Sequence, residues 1–143
     1  MAEPKVWVFF YGSFINLDVL QGAGLAPDRV EVARLAGFDI VVGPLANLIR
    51  SDQHSVYGIL VRATHAELAR LYDHARDKLG GTYLPEAVLA ETKEAWRPAL
   101  CYIAPEMEPG TPTSDYVDRI VVPAREHGFP AWYVARLERF RPA

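Results

Sequence analysis

A single α+β domain is the architecture predicted here, on three observations. The 143 residues are half apolar and 23% charged, a balance that supports one packed core rather than a disordered tract. Runs such as Val6–Tyr11 and Ser55–Arg62 are rich in β-branched and aromatic side chains, as strands are. Among them lie segments with apolar residues at helical spacing behind capping residues, and no repeat of about 20–50 residues divides the chain. Residues 1–143 therefore read as one domain. Folding at this length removes about 68–70% of the surface the unfolded chain exposes, enough for a core without metal or disulfide staples.

Each element follows from local chemistry. Val6–Tyr11, VWVFFY, shows no polar alternation, which suits a strand covered on both faces, and it stops at Gly12. Gly12 and Ser13 follow directly, and Asn16–Leu20 can open a short helix. The junction is then a strand-to-helix turn rich in free backbone N–H groups, where anions bind readily. Glu31–Val42 is mainly apolar with a break at Ala36 and Gly37, so a strand that bends or bulges at the glycine is expected, closed by Gly43 and Pro44. After the Ser55–Arg62 strand, Thr64-His65-Ala66-Glu67 matches a capping box. In the helix that follows, Leu68, Leu71, Tyr72 and Ala75 form one buried stripe, and Gly80-Gly81 ends the segment. Tyr83–Glu91 and Arg97–Ala104 read as two strands paired through the polar connection Lys93–Trp96. Pro105–Pro112, with three prolines and one glycine, is an irregular surface connection. Ser114–His127 reads as a helix with Val117, Ile120, Val121 and Ala124 inward, and Pro123 predicts a kink or break near Arg119–Val122. Pro130 can be the first residue of a last helix whose Tyr133, Leu137 and Phe140 face the core.

Composition narrows the function. Fifteen basic against 18 acidic residues give a net charge of −3, with no Lys/Arg cluster to neutralise a phosphate backbone, which argues against nucleic acid as a partner. No stretch approaches the roughly 18 consecutive apolar residues of a membrane span. The opening MAEPKVWVFF lacks a basic leader with a small-residue cleavage site, so neither membrane insertion nor secretion is expected. One cysteine, Cys101, cannot pair within the chain, which favours a reducing, cytoplasmic setting. It lies in an apolar strand with no adjacent activator and reads as an inert buried thiol. His54, His65, His74 and His127 pair at no ligand spacing with another His or Cys, so no metal site is expected. Nucleophile-elbow, Walker and dinucleotide motifs do not occur. What remains is the turn Phe10-Tyr11-Gly12-Ser13-Phe14. Alone, its glycine permits a tight turn and its serine caps a short helix. It is accompanied by a second pattern, Pro112-Thr113-Ser114, Tyr116, Ile120, Ala124-Arg125-Glu126-His127-Gly128-Phe129-Pro130 and Tyr133.

With these two patterns the chain resembles the gamma-glutamylcyclotransferase-like family, whose N-terminal strand runs into Y-G-S and whose C-terminal signature is close to Thr113–Tyr133, with Pro123 for a glycine and Phe129 for a leucine. Ala33–Phe38 and Val56–Leu60 are similar to two further strands of that family, so the likeness covers almost the whole chain. The resemblance implies a small mixed β-barrel with flanking helices and a pocket formed by the Y-G-S turn. It implies a small-molecule γ-glutamyl substrate whose free α-amine attacks its own γ-amide carbonyl, giving 5-oxoproline and releasing the amine. Such an intramolecular attack needs no cofactor, since the protein only has to fold the substrate into the reactive geometry. Backbone N–H groups of Gly12, Ser13 and Phe14 would hold the α-carboxylate, beside Tyr11, and Tyr83, Tyr102 and Tyr116 match tyrosines that line the family's pocket. Each of these phenols is equally well explained as packing with a wet hydroxyl.

The resemblance also exposes a departure. The family carries its catalytic glutamate at the end of the capped helix, followed by a tyrosine that opens the next strand. Here Leu71-Tyr72-Asp73-His74-Ala75-Arg76 places Ala75, counted forward, or Arg76, counted back from Tyr83, at that position. Neither is a carboxylate. Asp73 and Asp77 lie two residues either side of Ala75, about 200° round the helix and therefore on the other face. Glu86, three residues after Tyr83 on the next strand, is the candidate replacement acid; a solvent-facing strand residue is its alternative reading. His74 is a second candidate base, or an exposed helix residue. Three functions stay open: a cyclotransferase acting through Glu86, a non-catalytic binding or interaction module on the same scaffold, or another reaction of a small amide.

Overall fold

The computed structural model describes residues 3–79 and 82–143. Five strands, β1 (Lys5–Phe10), β2 (Glu31–Val42), β3 (Ala46–Thr64), β4 (Leu84–Glu91) and β5 (Trp96–Ile103), close in the order β1-β3-β2-β4-β5. β1 and β5 run parallel at Val8–Leu100 and Phe9–Cys101, and every other pairing is antiparallel. The sheet is therefore a small mixed barrel. Its loosest seam lies between β2 and β4, which share a single bridge at Arg34 and Glu91.

β1 has no exposed face from Val8 onward: Val8, Phe9 and Phe10 are all at most 1% exposed. It packs so closely on β3 that a Cβ on Gly58 would stand 2.1 Å from Phe10 O, which only glycine avoids. β2 bulges between Ala36 and Phe38, where Gly37 takes a φ of +88°, as the glycine break in the sequence foretells. β3 begins nine residues earlier than the Ser55 start read from sequence. Its first half, Ala46–Arg50, pairs with Phe38–Val42, and it is bent away by the bulge before Ser55 resumes the ladder. Ile49, Arg50, Asp52, Gln53 and His54 are exposed, which hid this half behind a polar pattern.

Helices α1 (Leu17–Gly22), α2 (His65–Leu79), α3 (Ser114–Glu126) and α4 (Ala131–Glu138) flank the barrel. Three of the four N-termini are capped by a side chain, as local rules lead one to expect. Asn16 Oδ1 accepts from the N–H groups of Asp18 and Val19 at 3.0 and 3.3 Å, capping α1. Thr64 and Glu67 exchange hydrogen bonds at 2.9 and 3.1 Å, the reciprocal capping box of α2. Thr113 Oγ1 accepts from Tyr116 N–H at 3.1 Å to start α3. Leu68, Leu71 and Ala75 are at most 1% exposed on the inner stripe of α2. The predicted end of that helix at Gly80-Gly81 lies outside the described residues.

Two expectations are corrected. α3 runs from Ser114 to Glu126 without a break, carrying Pro123 inside it. The proline forgoes one backbone bond near the C-terminus, and it is buried, as Val121 and Ala124 are. Pro130 is the residue before α4 rather than its first turn, at φ −54° and ψ 143°. Tyr133 and Leu137 of α4 reach the core as read, and Phe140 lies partly buried just beyond the helix end.

Candidate functional site

The Tyr11–Phe14 turn sits where β1 leaves the barrel. Gly12 and Ser13 lead into a 3-10 turn, Ser13–Ile15, closed by Ile15 N–H to Gly12 O and Asn16 N–H to Ser13 O, both 3.1 Å. No oxygen among the described residues accepts from the N–H groups of Gly12, Ser13 or Phe14, as the geometry of a helical start dictates. The turn is fixed from two sides. A Cβ on Gly12 would come within 2.8 Å of Ala46 Cβ, so β3 packs directly on the glycine backbone. His127, just after α3, lies 2.7 Å through Nε2 from Ile15 O and so donates to that carbonyl.

Around the turn opens a narrow cavity of about 30 Å³. Tyr11, Gly12, Ser13, Phe14, Tyr83, Tyr102 and Tyr116, all seven binding candidates from the sequence, line it. Phe10, Ala46, Tyr72 and Ala75 complete the wall. Five tyrosines, from the end of β1, from α2, from just before β4, from β5 and from α3, thus converge on one cleft. Three of their hydroxyls are anchored on backbone. Tyr83 Oη donates to Ala46 O at 2.6 Å, and Ala46 N–H donates to Tyr116 Oη at 2.9 Å, so one alanine peptide joins two phenols. Tyr11 Oη donates to Tyr102 O at 2.7 Å. Next to Ala46, Asn47 locks β3 to the end of β5 by exchanging two 2.9 Å bonds with the Ala104 backbone. Tyr72 and Tyr102 stack with centroids 3.8 Å apart and planes 12° from parallel, and Phe14 meets Tyr72 edge-on at 5.6 Å.

The cleft carries phenols, methyl groups, one serine and backbone, and no charged side chain lines it among the described residues. Burial pushes the phenols of Tyr11, Tyr72, Tyr83 and Tyr116 above the ordinary tyrosine value, and the Cys101 thiol behind them up to about 12. They are therefore neutral hydrogen-bonding groups at physiological pH. The cleft's volume is far below that of sites enclosing whole metabolites. Its size suits water rather than a larger guest unless lining side chains shift.

The acids fall elsewhere. Of the two positions that counting along the sequence offers for the family's glutamate, Ala75 lines the cleft and is 1% exposed, whereas Arg76 is exposed beside Asp73 at 3.3 Å and Asp77 at 3.7 Å. Asp73 and Asp77 have side chains 63% and 70% exposed, on the solvent face expected from the helical offset. His74 is exposed too. Glu86 stands in register with Cys101, and its carboxylate accepts from Arg50 Nη2 at 2.6 Å; it does not line the cleft. Sequence reasoning missed Ala46 and Asn47, whose contributions come through backbone and a long-range amide clamp that no local pattern announces. Tyr72 was visible only as part of a buried stripe, and Ala75 both in that stripe and as a position without an acid; these two of its residues stand in the cleft wall.

A sequence model of the gamma-glutamyl cyclotransferase, AIG2-like family matches residues 8–119, from the middle of β1 into α3. The chain belongs to that family. Solved structures of similar shape agree with the gamma-glutamyl cyclotransferase fold. A protein named gamma-glutamyl cyclotransferase superposes with a TM-score of 0.81 at 23% identity, over 98% of this chain and 90% of that one. An uncharacterized protein from Homo sapiens superposes equally well, 0.81 at 22% identity, over 99% and 90%. A glutathione-specific gamma-glutamyl cyclotransferase from yeast gives 0.65 at 11% identity, over 96% and 97%. No curated protein matches in sequence. At these identities the superpositions speak for the fold of a gamma-glutamyl cyclotransferase domain. No described helix is long and apolar enough to cross a membrane.

Proposed function

We propose that this protein binds a small carboxylate of the γ-glutamyl or 5-oxoproline type in the tyrosine cleft and does not turn it over. The observation that carries this reading is the cleft lining itself. Gly12, Ser13 and Phe14 line the cleft with N–H groups that have no acceptor among the described residues, which suits a carboxylate, and Ala75 lines it at the position where the resemblance puts the family's acid. Cyclisation requires a group that takes a proton from the attacking ammonium and returns it to the leaving nitrogen, and an alanine supplies none. The test is two-dimensional NMR of the full chain titrated with a γ-glutamyl amine and, in a second tube, with 5-oxoproline, free amine being assayed in the first. Shifts centred on the Gly12–Phe14 amides, with the γ-glutamyl compound intact, are expected in at least one of the two. Release of the amine would replace binding with catalysis, and amide signals unchanged by both compounds would remove the site.

A second reading, cyclisation with Glu86 as the acid, has one observation in its favour. Glu86 faces the same side of the β4–β5 pair as Cys101, and Cys101 in turn lies close enough to Tyr11 and Tyr72 to raise their phenols. In that case the α-nitrogen bonds to the γ-carbonyl carbon, the carbon–nitrogen bond to the leaving amine breaks, and Glu86 relays the proton between them. Glu86→Gln would then abolish 5-oxoproline formation; activity equal to the parent protein would exclude Glu86 from the role.

A further inference from the structure

We propose that the cleft selects monocarboxylates that carry no protonated amine, so that a lactam acid is preferred over an amino acid of the same size. The inference rests on the binding reading above and narrows its ligand. An anion and a cation meet very different walls in this cleft. A carboxylate finds the N–H groups of Gly12, Ser13 and Phe14, which have no acceptor among the described residues. The hydroxyl of Tyr72, which lines the cleft, likewise meets no partner among them.

An ammonium brings three donors and needs acceptors or a counter-charge. The side chains around the cleft include no carboxylate. The carbonyls of Ala46 and Tyr102 already accept from Tyr83 and Tyr11, which leaves each a single lone pair. Glu86 is held by Arg50 outside the lining. The faces of the phenol rings attract a cation, but this recovers only part of what it costs to strip water from an ammonium. Narrowness acts in the same direction, since a compact ring displaces the Tyr72–Tyr102 stack less than an extended chain does.

L-proline and 5-oxoproline form the matched pair that decides it: the same five-membered ring and carboxylate, with a protonated ring nitrogen in one and a neutral lactam in the other. Both are titrated into the full chain at neutral pH and followed at the Gly12–Phe14 amides, with glutamate as a third arm. The expected result is 5-oxoproline binding at least tenfold tighter than L-proline, a difference of about 1.4 kcal/mol. A ratio below tenfold, or tighter L-proline, overturns the inference while the carboxylate cleft stands. If none of the three perturbs those amides, the binding reading fails and the inference with it. Ala75→Glu provides the reverse experiment. Its carboxylate enters the cleft, so L-proline affinity is expected to rise and 5-oxoproline affinity to fall; an unchanged ratio in the folded variant counts against the proposal. Should that variant not fold, the matched pair on the parent chain still decides.

Discussion

The cleft and the strand β2 handle polarity in opposite ways. Along β2, charges are placed in pairs. Glu31 holds Arg97 through two bonds of 2.6 and 3.0 Å, Arg34 reaches Glu91 at 3.2 Å, and Asp39 takes Arg136 at 2.6 and 3.2 Å. Each carboxylate has a guanidinium within reach, and these pairs tie β2 to β5, β4 and α4. The cleft instead gathers five phenols and no charge among its lining residues, and it satisfies three of the hydroxyls with backbone groups. The difference is informative. A surface strand can carry ions because water and a fixed partner share the cost, whereas a narrow cavity excludes both. Charge missing from the cleft is thus a property a ligand would encounter, and not a general avoidance of ions by this chain.

The contrast is sharpest at high pH. A phenol whose folded value is raised keeps its proton after the unfolded chain has lost it, so stability is complete below the unfolded value of about 10 and falls as pH rises beyond it. Each such tyrosine contributes a slope of about 1.4 kcal/mol per pH unit. With several acting together, the melting temperature is expected to drop steeply between pH 10 and 12, and the tyrosinate absorbance that Tyr83→Phe removes is expected to appear only on unfolding. If that part of the absorbance rises in the folded protein near pH 10, the account of the cleft breaks.

Gly12→Ala comes next. The added methyl strikes Ala46 Cβ, and overpacking of this kind costs about 1–3 kcal/mol. Loss of carboxylate binding is expected along with a lower denaturation midpoint in urea. Wild-type stability together with wild-type binding would mean that β3 does not press on the turn. Smaller again is Asp39→Asn on the charged strand. It leaves Arg136 without its counter-ion at a cost of about 1–2 kcal/mol and leaves cleft binding intact. Binding that changes with it would erase the separation between the two regions. The smallest effect belongs to Glu31. Arg97 holds its carboxyl below the usual carboxylate value, so its stabilisation is present above the unfolded value near 4.5 and is lost as pH falls through the lower folded one. Glu31→Gln should flatten the acid limb of the melting curve below pH 5 by a few degrees, and a variant with the parent's acid limb would show that the pair contributes nothing there.

Much of this was written locally. The break at Ala36-Gly37 became a bulge because only glycine accepts the positive φ that a bulge there requires. Thr64 and Glu67 became a capping box because three residues of spacing place each side chain on the other's N–H. The Tyr11–Phe14 turn was legible as a strand end followed by free N–H groups, and three distant tyrosines were named by resemblance to one family. The first half of β3 was not legible, since its outward face alternates with charged and polar residues and its pairing depends on β2 folding over it.

By itself the sequence determined most of the elements, the caps, the bulge and the lack of a carboxylate at Ala75 and Arg76 on α2, all of which depend on neighbours within a few residues. Tertiary structure alone decided that Ala75 rather than Arg76 faces the cleft, that one alanine peptide joins Tyr83 to Tyr116, and that Glu86 is held by Arg50. Those outcomes follow from the rotation of a helix against a closing barrel and from contacts 36 and more residues apart, distances over which spacing rules carry no information.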